Sequence, residues 1–74
     1  MRPTANQLRA ARAWLGLSRA QAAHAAGVHE QTLSKAEHGG GSLSAATLEA
    51  IAATYRLRGF VFHGTSTIER RSAA

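Results

Sequence analysis

Seventy-four residues make one small domain, and a chain of that size buries only about 60% of its unfolded surface, which leaves no large core to hold a catalytic cleft. With no cysteine and no cluster of metal ligands, neither a disulfide framework nor a zinc site can hold the fold, so helix packing or self-association must do so. Nine Lys and Arg against four Asp and Glu give a formal charge of +5 and a sequence pI near 11.5, a balance suited to a polyanionic partner. No apolar run reaches the roughly 18 residues needed to span a bilayer and no signal-peptide core opens the chain, so a cytoplasmic protein is expected.

Thr4 opens a first helix, Gln7 completes a capping box three residues later, and Gly16 closes it in the left-handed conformation. Leu8, Ala11, Arg12 and Leu15 form one stripe, so Arg12 sits among apolar neighbours and needs an acidic partner there. Trp14 lies off that stripe and is expected to pack at the edge of the core. Ser18 with Gln21 repeats the capping box, and the helix that follows shows a face of small residues, Ala22, Ala23 and Ala26, able to approach a neighbour closely. That core is lean, and filling it poorly makes an isolated domain marginal.

Gly27 ends the alanine-rich second helix and turns the chain at once into a third, read EQTLSKAE from Glu30. In that helix Glu30, Gln31, Ser34 and Lys35 share one face while Leu33 and Ala36 point the other way. The presented face holds a carboxylate, an amide, a hydroxyl and an amine, short polar groups that pair with base edges in a major groove. The segment SRAQAAHAAGVHEQTLSKAEHG resembles the helix-turn-helix of the lambda-repressor and Cro-like (Xre) family. Ser18 stands at the first cap, Ala23 and Gly27-Val28 at the turn, Gln31-Thr32-Leu33-Ser34 in the recognition helix, and Glu37 before Gly39. LRAARAWLGLS is similar to the family's first helix and SAATLEAIA to its fourth.

The resemblance implies that Glu37 is the acid that pairs with Arg12, and that double-stranded DNA is the partner. Glu30, Gln31, Ser34 and Lys35 become the expected base readers. Arg19, in the first turn of the second helix where free N–H groups favour an anion, is assigned to a phosphate, with His29, Thr32 and His38 as further phosphate contacts. His29 stands where the family has Ser or Thr, so the third helix starts with a poorer cap. His24, His29, His38 and His63 match no metal-ligand spacing, and residues 39–42, GGGS, lack the Lys-Ser/Thr of a phosphate-binding loop. No metal and no cofactor is expected, and the loop reads as a flexible connector.

Ser44 caps a fourth helix whose stripe is Leu48, Ile51, Ala52 and Tyr55. After Tyr55 the period changes to alternation about a His63-Gly64 turn, which predicts strands near Gly59–Phe62 and Thr65–Glu69. The family's fifth helix is thus missing. The expected fold is mainly α, a four-helix lambda-repressor-like helix-turn-helix domain with a short C-terminal β-hairpin. Residues 1–56 form the DNA-binding domain, residues 57–71 the hairpin and residues 72–74 a frayed tail. Because a lone two-stranded hairpin is marginal in water, Phe60, Val61, Phe62 and Ile68 are expected to pair with a second subunit, with folding back onto the chain's own helices as the alternative. These expectations describe a homodimeric, sequence-specific transcriptional regulator, a repressor on an inverted-repeat operator, and not an enzyme. The alternative is the antitoxin of a toxin–antitoxin pair, which binds a toxin protein through its tail.

Overall fold

The structure, a computed structural model, describes residues 3–39 and 41–71. The elements run α1 (Ala5–Leu15), α2 (Arg19–Ala26), α3 (Glu30–Ala36), α4 (Ala45–Arg56), β1 (Phe60–His63) and β2 (Thr67–Arg70). The frayed tail expected at residues 72–74 and Gly40 of the connector lie outside the described residues.

The helix boundaries follow from local capping. Thr4 and Ser18 each accept from the N–H three residues on, with Gln7 and Gln21 returning the bond, so two orphan donors are satisfied reciprocally at each start. Gly16 and Gly27 end α1 and α2 at φ 69° and 72°, where a Cβ would be strained. Ser44 accepts from Thr47 N at 3.1 Å. His29 precedes α3 with no side-chain cap bond, as its replacement of Ser or Thr foretold.

The core is built from one side of each element. Leu8 and Ala11 of α1, Ala22 and Ala23 of α2, Leu33 and Ala36 of α3, and Ile51 and Tyr55 of α4 are buried together, and Phe60 of β1 joins them. Three alanine pairs or singles at helix crossings bring backbones close, and Tyr55 with Phe60, stacked edge to face at 6.3 Å, supplies much of the bulk. Trp14 stands at the rim, 55% exposed, with its ring edge-on to Phe60 at 5.5 Å.

The strands are antiparallel, with Phe60 opposite Arg70 and His63 opposite Thr67. Each begins and ends a little later than the alternation predicts, because the turn is not His63-Gly64 but Gly64-Thr65-Ser66. Gly59 has φ +93° and a Cβ there would run into the carbonyl oxygen of Arg71, while Arg71 N donates to Gly59 O at 2.7 Å. Gly59 therefore closes the open end of the hairpin rather than starting its first strand.

The hairpin folds back onto the chain's own helices, which corrects the expected use of its apolar residues. Phe60 is 2% exposed in the shared core, and Phe62 and Ile68 on the same face pack against that core. The aromatic face therefore serves this chain instead of lying open for a second subunit. Val61, on the opposite face, is half-buried. Gln7 fixes the arrangement: wholly buried, its Nε2 donates to the carbonyls of His63 at 3.0 Å, Gly64 at 3.2 Å and Thr67 at 3.0 Å. The side chain that completes the α1 cap also holds the hairpin turn, and Thr4 Oγ1 donates to Thr65 O beside it.

Candidate nucleic-acid interface

The interface is organised by the turn between α2 and α3. Gly27 N donates to His24 O at 3.2 Å and Val28 N to Ala23 O at 3.0 Å, the paired bonds of a Schellman ending that redirects the chain within two residues. Val28 packs against the core, which fixes the angle at which α3 departs. Leu33 and Ala36 are buried, so the rest of the short helix is turned outward by necessity.

On that outward side Glu30, Gln31 and Lys35 are exposed and Ser34 is half-buried. The four expected base readers thus lie on one continuous face of α3. Of the expected phosphate contacts, Arg19 is exposed at the first position of α2, His29 is exposed just before α3, and Thr32 is half-buried. His38 is exposed with its Nδ1 held 2.7 Å from Ser34 O, which aims the other ring nitrogen away from the helix. His29 and His38 thus flank α3 in the chain, Thr32 lies within it, and Arg19 opens α2.

The far end of α3 is fixed by charge. Glu37, 1% exposed, takes Arg12 Nε at 2.7 Å on one carboxylate oxygen and Nη2 at 3.1 Å on the other, the bidentate fork that a guanidinium makes with a carboxylate. Arg12 Nη1 also donates to Leu17 O at 3.0 Å, tying the α1–α2 connection into the same group. The hydrogen bond to Glu37 raises the Arg12 pKa above its ordinary value against the opposing cost of burial, so the guanidinium keeps its charge. Arg9 adds a donor to the Glu37 carbonyl, a contact that nothing in the spacing of the sequence signalled, since Arg9 lies on the exposed side of α1. Tyr55 packs beneath this pair. Desolvation first, and the Glu37 charge second, push its phenol up to about 12, and its OH has no hydrogen-bond partner among the described residues.

The site is thus a tight left-handed turn between two short helices, the second presenting a polar face and anchored at its end by the Arg12–Glu37 ion pair. The model described as helix-turn-helix (HTH_3) matches residues 8–60. The chain belongs to the lambda-repressor/Cro-like helix-turn-helix family. No curated protein and no solved structure gives a significant match. The matched stretch runs from the core of α1 into β1, so it takes in Arg12, the α2–α3 turn, the whole α3 face and Glu37. Membership makes the protein a DNA-binding transcription regulator. No helix among the described residues is long and apolar enough to cross a membrane.

Proposed function

We propose that this protein is a sequence-specific transcriptional repressor that binds an inverted-repeat operator as a homodimer and has no catalytic activity of its own. The observation that supports it best is the α3 face: Glu30, Gln31 and Lys35 exposed on a helix whose two ends are fixed by the Gly27 turn and the Arg12–Glu37 pair. A rigid helix carrying unlike polar groups discriminates among base pairs, because each groove edge has its own donor and acceptor pattern. Gln31 reads adenine through its amide, Glu30 accepts from cytosine N4 and Lys35 donates to guanine, with Ser34 beside them. Arg19, His29, Thr32 and His38 hold phosphates and set the register.

Two copies are required by specificity. One short helix reads a few base pairs among on the order of 10⁶ or more competing sites, whereas two helices a turn apart read enough to select an operator. With Phe60, Phe62 and Ile68 committed to the chain's own core, the copies meet through the outer face and edges of the hairpin, at Val61 and the unpaired strand backbones, which are natural sites for strand addition. Selection of bound duplexes from a random pool tests the reading. An inverted repeat with half-sites about 34–36 Å between centres is expected, and recovery of no consensus overturns it.

A further inference from the structure

Among the described residues the two large hydrophobic side chains that are exposed, Trp14 at 55% and Leu57 at 85%, border one open groove of about 810 Å³. It runs between the C-terminal ends of α1 and α4 and the base of the hairpin, and four arginines, Arg56, Arg58, Arg70 and Arg71, complete its walls. No carboxylate lines it among the described residues. Arg56 pairs outside it with Glu49, and Arg71 with Glu69 at 3.3 Å. Among the described residues Arg58 and Arg70 have only neutral partners. Arg58 Nη1 donates to Thr54 O at 2.8 Å, and Arg70 Nε to Arg58 O at 3.3 Å while its guanidinium lies 5.5 Å from the centre of the Phe60 ring. These bonds tether the two guanidiniums, and no carboxylate among the described residues answers their charge. The groove also lies on elements other than α2 and α3, apart from the proposed base-reading face.

We propose that this groove docks an acidic peptide segment of a partner protein, one that offers carboxylates on either side of an aliphatic residue. The carboxylates meet Arg58 and Arg70, whose fixed forks suit bidentate pairing, and the aliphatic residue covers Leu57 and the exposed face of Trp14. A second copy of this chain is disfavoured as occupant, because each copy carries +5 and the same arginines would face one another across the interface. A nucleic acid strand answers the charge but not Leu57, which has no flat face on which a base can stack.

Trp14 is the only tryptophan, so its emission reports the groove directly. The probe is a synthetic peptide of glutamates around a central leucine pair, titrated into the full chain, with a lysine-flanked peptide and oligothymidylate as controls. A saturable change in Trp14 emission is expected with the acidic peptide alone. Arg58→Glu and Leu57→Ala should each weaken it about tenfold, and Leu57→Ala, whose side chain is almost wholly in solvent, carries the test if Arg58→Glu does not fold. Gln31→Ala should leave peptide binding unchanged, which separates this site from the DNA-reading face. No saturable change, equal affinity in a folded variant, tighter binding of oligothymidylate, or a dimer of the free chain that hides Trp14 overturns the proposal.

Discussion

Arg12 shows how one residue can support the proposed DNA-reading face from behind it. Its guanidinium spans α1, the α1–α2 connection and the end of α3, and Glu37 beneath it is 1% exposed while Arg12 itself is 23% exposed. Arg12→Ala leaves that carboxylate buried and unpaired, a loss of about 3 kcal/mol, toward the low end for buried pairs because Arg12 is partly solvated. Melting should fall by more than about 10 °C in a domain of this size, and unchanged melting with weaker DNA binding would make Arg12 a phosphate ligand instead. Tyr55 gives a pH test of the same region. Its folded pKa of about 12 against an ordinary 10.0 means that the folded chain keeps a proton that the unfolded chain has lost across that window. Stability from this group is therefore whole below about pH 10 and drains away as pH rises toward 12. Absorbance titration of the single tyrosine should show ionisation only as the chain unfolds, and Tyr55→Phe should flatten the alkaline decline. Because the Tyr55 hydroxyl has no partner among the described residues, Tyr55→Phe should cost nothing at neutral pH and gain up to about 1 kcal/mol. Gln31→Ala should relax specificity at one position of each half-site, at about 1–3 kcal/mol on the operator, and equal loss on operator and random DNA would show that another residue reads there.

At the scale of elements, α3 is the weakest-started helix, since His29 contributes no cap bond where Thr4, Ser18 and Ser44 each do. His29→Ser should stabilise the chain by about 1 kcal/mol in thermal melts, and a loss of operator affinity in the same variant would mark the imidazole as a DNA contact. The hairpin depends on Gln7. Gln7→Ala strands three turn carbonyls that its Nε2 now serves, and should cost about 1–3 kcal/mol with faster amide exchange concentrated in β1 and β2. Removing residues 59–74 should unfold the helices rather than yield a helical monomer, because Phe60 is part of their core. The caps, the turn and the α3 face were legible in the sequence because each rests on residues within a few positions of one another. Arg12 announced its need for an acid through its place on an apolar stripe, and the family resemblance supplied Glu37. The hairpin's strand character was legible from Phe60–Phe62, but its docking was not: Gln7 reads as a cap, and the three carbonyls it meets lie 56 to 60 residues away.

At the scale of the whole molecule, assembly is the open quantity. The Cα trace extends 34 × 24 × 18 Å, so two copies on grooves about 34–36 Å apart touch only if each sets its long axis nearly along the duplex. Sedimentation of the full chain should show a dimer at tens of micromolar concentration, and Val61→Lys on the outer face of the hairpin should shift it to monomer without lowering melting. A chain that sediments as a monomer, or a Val61→Lys variant that remains dimeric, rejects the hairpin as the contact. The Gln7 bonds carry a consequence for how the protein is made. They join residue 7 to residues 63–67, so Gln7 obtains these partners only after all four helices and the hairpin turn have been translated. A chain stopped before residue 63 consequently carries all four helices but not the carbonyls that hold the Gln7 amide.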